Sequence, residues 1–229
     1  MRSLKQRARD EEQMDDPSLD PEVYDEVLKG LGRVNAWTLA ARPTLSFLAR
    51  ATRGRAGFSL LDVGSGEGGM LRTVAKWARR RGLDARLTGV DLNPKSEAVA
   101  RAKTGRNMPI DYRTGDYSGL GRFDFVISSL VAHHMSDREL RLFLRWMESN
   151  SDRGWFVNDL HRHGFAYYGY PLLAALLGVH RIVREDGRLS IARSFRPADW
   201  RSILADAGLA QGVRIRRYFP FRLCVERLR

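Results

Sequence analysis

The histidines are the side chains in this chain best suited to acid–base chemistry near neutral pH, and they cluster. All five lie between His133 and His180, and His133, His134 and His161 follow the predicted fourth and fifth strands of a sheet. A neutral imidazole is a suitable base for a phenol or an enol. We predict His134 or His161 as that base, with His133 facing a cofactor or packing. Each could instead only hydrogen-bond the backbone. We predict no metal site.

A glycine-rich loop is the second group with chemical meaning. Residues 61–69 read Leu-Asp-Val-Gly-Ser-Gly-Glu-Gly-Gly, between an apolar strand and a helical pattern. Glycines let the backbone turn sharply and approach a ligand, and the N–H groups at the start of a helix favour an anion. Asp91 ends the next strand, where a carboxylate can bind both hydroxyls of a ribose. The glycine spacing also fits the dinucleotide fingerprint, so an NAD(P)-binding oxidoreductase is one alternative.

The elements that must position these residues alternate between strand and helix. Apolar runs predict strands at 58–63, 85–90, 110–114, 123–128, 154–160, 213–218 and 221–227. Amphipathic or capped segments predict helices at 21–32, 35–50, 70–81, 96–103, 137–148 and 197–207. Such alternation predicts an α/β fold with a mostly parallel seven-stranded sheet, whose last two strands form an antiparallel hairpin.

Four motifs together resemble the class I S-adenosylmethionine (SAM)-dependent methyltransferases, in particular the ubiquinone/menaquinone-biosynthesis type. The resemblance covers about residues 58–160, where the four motifs occur in the order that is typical of the family. They are Asp62-x-Gly64-x-Gly66, Val90-Asp91-Leu92-Asn93-Pro94, Gly115-Asp116-Tyr117, and the segment 123–130 followed by His133-His134-Met135. A dinucleotide enzyme usually has an apolar residue where Asp62 stands. The resemblance implies a Rossmann-like fold, SAM as the cofactor and methyl transfer as the reaction.

The resemblance also implies roles for single residues. Asp62 would lie near the methionine ammonium of SAM, Asp91 would bind the ribose, and Asp116 would meet the adenine amino group. The helix containing Arg33 would reach the methionine end. The predicted cofactor-binding residues are Asp62, Gly64, Ser65, Gly66, Asp91, Leu92, Asp116, Tyr117, Ser129 and Arg33.

The expected organisation is a flexible N-terminus at 1–20, a helical cap at 21–57 and a SAM-binding core at 58–229. Within the core, the insertion at about 161–195 is rich in aromatic residues and resembles the lids of methyltransferases found beside bacterial polyketide-type pathways. Its apolar side chains would wall a hydrophobic substrate, or would simply pack a helix. We therefore expect a small aromatic or hydrophobic natural-product acceptor that is methylated on oxygen, with methylation on carbon as the alternative.

The net charge of +12 suggests a nucleic-acid partner, but the basic residues are dispersed and residues 10–26 contain acids and no Lys or Arg. Enzymes that methylate the amino groups of nucleic-acid bases usually have the motif Asp/Asn-Pro-Pro-aromatic after the fourth strand. Here the corresponding residues 128–131 are Ser-Ser-Leu-Val. RNA or protein methylation, and non-catalytic SAM binding, remain alternatives. The single cysteine, the charged N-terminus and the absence of a long apolar run favour a cytoplasmic protein without a membrane span.

Overall fold

A seven-stranded sheet runs through the centre of the protein, in a computed structural model that describes residues 4–16 and 18–229. The strand order is β3-β2-β1-β4-β5-β7-β6. Neighbouring strands from β3 to β5 pair in parallel, whereas β7 pairs antiparallel with both β5 and β6. The strands are β1 (Gly57–Val63), β2 (Asp84–Asp91), β3 (Ile110–Thr114), β4 (Phe123–Ser129), β5 (Ser151–Leu160), β6 (Val213–Tyr218) and β7 (Arg222–Leu228).

Eight α-helices of the described chain connect and cover these strands, and short 3-10 turns occur at Gln13–Asp15 and Ala132–His134. Their starts follow from local chemistry, since the side chains of Asp20, Asn93 and Ser136 accept hydrogen bonds from the first turns of three helices. The helices are α1 (Pro21–Trp37), α2 (Arg42–Ala51), α3 (Gly69–Arg80), α4 (Pro94–Lys103), α5 (Asp137–Asn150), α6 (Gly164–Leu176), α7 (Arg181–Arg193) and α8 (Pro197–Asp206).

The core lies on both faces of the sheet because successive strand residues point to opposite sides. On one face, strand residues such as Val126 and Val157 pack with α5 and α8. On the other face, residues such as Phe125 and Phe156 pack with α2 and α3, and Phe47 stacks on Phe156 with ring centroids 4.9 Å apart. Burial of each such aromatic ring contributes roughly 1.5–3 kcal/mol, so the sheet is a firm platform for the loops at its edge.

The strand order reverses between β1 and β4, and the crevice outside the carboxyl ends of these strands is where ligands bind in open α/β sheets. The predicted α/β class, with seven strands and an antiparallel C-terminal pair, is therefore confirmed. The predicted helix 35–50, with Pro43 as its expected kink or boundary, is divided in the structure just before that residue. Pro43 lies in the first turn of α2 rather than inside a helix, because its ring has no N–H to donate there.

Residues 4–16, which belong to the segment expected to be flexible, contact the end of α7 and the loop after it. Arg7 donates hydrogen bonds to the carbonyl oxygens of Arg193 and Met135, its guanidinium lies 3.9 Å from the ring centre of Phe195, and Ala8 N–H bonds to Ala192. These contacts hold the polar segment against α7, which a composition-based expectation could not foresee. Residues 1–3 and 17 lie outside the described residues. No helix of the described chain is long and apolar enough to cross a membrane.

Candidate active site

The glycine-rich loop joins β1 to α3 at the carboxyl edge of the sheet. The N–H groups of Gly64 and Ser65 both donate to the carbonyl oxygen of Val90, which ties the loop to β2. Gly64 has φ +73°, and a Cβ there would lie 2.3 Å from a methyl carbon of Val131. Gly64 thus meets two requirements that only glycine satisfies, a left-handed backbone and close contact with a neighbouring loop.

We expect Gly64→Ala to destabilise the protein more than Gly82→Ala. Gly82 has a similar positive φ of +64° but no atom within 4 Å of an added Cβ, so its substitution costs only the backbone strain of about 1–2 kcal/mol. The contact with Val131 should add roughly 1–3 kcal/mol at position 64. Denaturant unfolding of both variants measures the difference, and equal losses would show that the Val131 contact is relieved without cost.

Two aspartates flank the loop in different environments. Asp91 accepts hydrogen bonds from the N–H groups of Gly66, at 2.7 Å, and Asn93, at 2.9 Å. Asp62 is buried, and its Oδ1 has no hydrogen-bond partner among the described residues. Burial, and secondarily the negative charge of Asp91, raises the pKa of Asp62 to about 8. Asp62 is therefore a mostly protonated acid at neutral pH that a nearby cation would ionise.

A cavity of about 730 Å³ lies over this edge, within the size range of small-molecule sites. Of the residues predicted for the cofactor, Gly64, Gly66, Asp91, Leu92 and Tyr117 line it. Asp116 is not among the lining residues. It is exposed, and hydrogen bonds from the hydroxyl and backbone of Ser118 lower its pKa. The ring of Tyr117 is fixed edge-on against Phe143 and Trp146.

The predicted cofactor residues Asp62, Arg33, Ser65 and Ser129 also do not line this cavity. Arg33 donates to the carbonyl oxygens of Leu177 and Gly178, so it joins α1 to the end of α6. Ser65 contributes its backbone N–H to loop structure, and the hydroxyl of Ser129 is buried without a hydrogen-bond partner among the described residues.

The predicted histidines lie in three different settings. His133 is buried, and its Nδ1 is 2.7 Å from Asp159, which also accepts the His133 backbone N–H. His134 lines the 730 Å³ cavity. His161 lines neither that cavity nor the apolar cavity described below. Burial and the charges of neighbouring basic residues, led by His163, lower the pKa of His161 to about 4, so it is neutral at physiological pH.

Asp159 stays ionised despite complete burial. Desolvation alone would raise the pKa of Asp159, but the charge and hydrogen bond of His133, with the backbone N–H groups of Leu160 and His133, lower it. The resulting Asp159–His133 pair fixes the turn that carries His134 at the cavity wall.

Glu12 is a site residue that the sequence analysis missed. Its buried carboxylate lies 3.7 Å from Nε2 of His133 and 4.0 Å from Nε2 of His134, and it accepts a hydrogen bond from the hydroxyl of Ser190. Arg193 is 3.6 Å away. The acidic run at the start of an otherwise basic chain was the available signal, but the pairing spans more than a hundred residues.

A second, apolar cavity of about 460 Å³ adjoins the first. Its wall comes from α1, the 161–195 insertion and the start of β7, and includes Val34, Leu160, Phe165, Leu173, Ile191 and Phe221. The two cavities share Met14, Leu130 and His134. Leu130 has φ +62°, an uncommon backbone conformation for a branched residue, and is held there by a hydrogen bond from its N–H to Asn158.

Comparisons with known proteins agree with this architecture. Residues 61–151 match the family described as methyltransferase domain. The plantazolicin methyltransferase BpumL in complex with SAH superposes with a TM-score of 0.69 at 14% identity, covering 91% of this chain and 90% of that one. This chain has the Rossmann-like fold of class I SAM-dependent methyltransferases, and its residues 61–151 are similar to methyltransferase domains. The magnesium protoporphyrin IX methyltransferase of Synechocystis PCC 6803 with bound SAM has the same fold, with a TM-score of 0.56 at 18% identity over 95% of this chain and 88% of that one.

One curated relative is similar to this chain over part of its length. A probable fatty acid methyltransferase of Pseudomonas putida is 32% identical over 115 residues, which is 48% of this chain. The match spans only 28% of that relative's length. The methyltransferase interpretation of the four sequence motifs is confirmed, and the dinucleotide interpretation of the glycine spacing is not needed.

Solved structures with this fold hold SAM or SAH, and the residues at the sheet edge of this chain fit such a cofactor. The buried, unpartnered Oδ1 of Asp62 suits a ligand cation, and the glycine loop leaves room for a ligand because a Cβ at Gly66 would meet no atom within 4 Å. Asp91 at the end of β2 lines the same cavity and can accept hydroxyl hydrogen bonds.

Glu12, His133 and His134 present one ligand atom each within 4.8 Å of one another, a group that could hold a metal ion. We expect the methyltransferase domain to work without one, because Glu12 already accepts from Ser190 and faces the cation of Arg193. Dialysis against EDTA should leave the methyl-transfer rate and the unfolding midpoint unchanged. Stoichiometric zinc or manganese in the purified protein, with activity lost on chelation and restored by that metal, would contradict this expectation.

Proposed function

We propose that the protein transfers the methyl group of SAM to a hydroxyl oxygen of a small, largely apolar acceptor. The observation that supports this most strongly is the junction of the two cavities at Met14, Leu130 and His134. One cavity has the polar loops suited to the cofactor, and the other has an apolar wall suited to an aromatic or aliphatic body. A methyl group held at the junction would face both.

In this proposal SAM binds to residues that match the family motifs. These residues line the first cavity or lie beside it. Asp62 would take the methionine ammonium, Asp91 the ribose hydroxyls and Tyr117 one side of the adenine. The loop at Gly64 and Gly66 lets the ligand approach the backbone. SAM supplies an electrophilic methyl group on a sulfonium, so this protein needs no strong acid.

The acceptor end requires alignment, exclusion of water and removal of a proton. His134 borders both cavities and is the base in this proposal, accepting the hydroxyl proton as the oxygen attacks. Leu130 and Met14 provide apolar contacts around the transfer point. Alignment of nucleophile and methyl carbon can supply on the order of 7–11 kcal/mol of the barrier at best.

The structure favours His134 over His161 as the base, and His133 as its support. His133 also lines the apolar cavity, but its Nδ1 is bonded to Asp159 and little of its surface is exposed, so we assign it to positioning the turn. The 161–195 insertion supplies α6 and α7, and we propose that these helices act with residues 4–16 as the lid over the acceptor.

The test begins with the cofactor. Calorimetry should show SAM binding in the micromolar range that is lost in Asp91→Ala, and no binding of NAD(P)H. Incubation with methyl-labelled SAM and a panel of apolar phenols should then give methyl ethers identified by mass spectrometry, while a tRNA transcript and an unrelated protein stay unlabelled. SAM binding with label only in the tRNA or the protein would overturn the small-molecule proposal.

A further inference from the structure

Arg222 is a buried cation in the wall of the apolar cavity. It begins β7, its residue surface is only 2% exposed, and it lines the acceptor cavity but not the cofactor cavity. The hydrogen bond of its guanidinium within the described chain runs from Nη2 to the side-chain oxygen of Asn35, at 3.4 Å. Nη1 is buried with no partner among those residues.

A buried guanidinium without a carboxylate partner is costly, because both its charge and its N–H groups lose water. No acidic side chain of the described residues lies within ion-pair distance of Arg222, and Asp159, the acid that influences it from farther away, is bound to His133. The other buried arginines near the site differ, since Arg162 pairs with Asp199 and Arg193 faces Glu12. The cavity wall therefore contains a buried cation, Arg222, that has no carboxylate partner among the described residues.

We propose that Arg222 binds a carboxylate of the acceptor, so that the substrate is an apolar acid held at one end by Arg222 and methylated at a hydroxyl beside His134. This inference rests on the proposed function and names its substrate class. A planar guanidinium suits a carboxylate, which accepts two parallel hydrogen bonds. Asn35, which accepts the hydrogen bond from Arg222, lines the same cavity, and so does Thr38. The other polar or charged residues of the wall are Glu12, His133, His134 and Ser190. Glu12 accepts a hydrogen bond from Ser190 and faces the histidines and Arg193, and the remaining wall is largely apolar.

The position of Arg222 makes it a specificity residue rather than part of the methyl-transfer chemistry. It lies outside the set of residues shared by the two cavities, which are Met14, Leu130 and His134. A carboxylate held at Arg222 is thereby an anchor, and its ion pair lowers its nucleophilicity. The methylated atom is the hydroxyl at the other end of the same molecule.

The probes are 4-hydroxyphenyl-alkanoates of increasing chain length and their primary amides, titrated by calorimetry in the presence of SAH. For the best-fitting length, the acid should bind the wild-type protein about 10- to 100-fold more tightly than the amide, as expected for hydrogen bonds to a charged group. Arg222→Met should abolish that preference and Arg222→Lys should keep part of it, with SAM affinity unchanged in both. Arg227→Met, on the same strand, should keep all of it.

The wild-type comparison needs no variant, so the test stands even if Arg222→Met does not fold. Equal affinities for acid and amide would overturn the inference, and so would formation of a methyl ester on the probe's carboxylate. In either case methyl ethers of the neutral amides would leave the proposed function standing. Failure of the wild-type protein to bind SAM would overturn the proposed function and, with it, this inference.

Discussion

Replacing His134 by glutamine should lower kcat for a phenolic acceptor by about 10²- to 10⁴-fold, the range that a positioned general base contributes. Glutamine retains a polar side chain at the junction of the two cavities but cannot accept the proton. Because His134 makes the acceptor hydroxyl reactive, the loss should appear in kcat, while the affinity for SAM changes only a few-fold. Single-turnover methyl transfer with saturating SAM measures the chemical step directly.

The acidity of the acceptor provides an internal control for the His134 variant. An acceptor whose phenol is already ionised in solution needs no base, so the difference between wild type and His134→Gln should shrink as acceptors become more acidic. A purely structural role would lower all rates equally. His161→Gln is the competing variant, and it should stay within a few-fold of wild type because His161 lines neither cavity. A large loss for His161→Gln alone would contradict the assignment.

The location of the proposed cofactor site was predictable from the sequence because several of its residues follow strands of one parallel sheet. Asp62 and Gly64 follow from β1, Asp91 from β2 and Tyr117 from β3, so the order of strands alone brings them to a common edge. The local sequence also indicates where helices begin, as in the Ser136–Glu139 capping box of α5. In these cases the information lies within a few residues of the position.

The acceptor half was not predictable in the same way. Glu12 meets His133 and His134 although more than a hundred residues of sequence separate them. Arg222 joins the cavity because β7 pairs beside β5. The orientation of side chains was equally hidden: Asp116 and Arg33 fit the family motifs or helix positions, yet they bond to Ser118 and to the end of α6. Such contacts depend on tertiary packing, which short motifs do not encode.

Asp62→Asn should make the SAM-free protein more stable at alkaline pH while weakening SAM binding at least tenfold. The pKa of Asp62 is about 8 in the folded protein, against about 4 for an unfolded aspartate. A folded-state pKa above the unfolded one means that this group's stabilising effect is complete below about pH 4 and is lost as the pH rises through 8. Asparagine stays neutral throughout and resembles the protonated acid, so the variant escapes this loss.

Denaturant unfolding at pH 5.5 and pH 8.5 measures the effect. Relative to wild type, Asp62→Asn should gain roughly 3 kcal/mol between these two pH values, since each pH unit over which the linkage acts is worth about 1.4 kcal/mol. The exposed Asp84→Asn, at the amino end of β2, should show no such change.

Saturating SAM should then narrow the difference in stability between the two proteins. A ligand at a hundred times its Kd adds about 2.7 kcal/mol to the wild type, whereas the variant, with its weaker binding, gains much less. The same carboxyl group would thus be unfavourable for the SAM-free fold and favourable for the complex, because the methionine ammonium supplies the positive charge that the buried carboxylate lacks. Equal SAM affinity in wild type and variant would show that Asp62 is only a buried neutral acid, and the ammonium would then need another partner in the cavity.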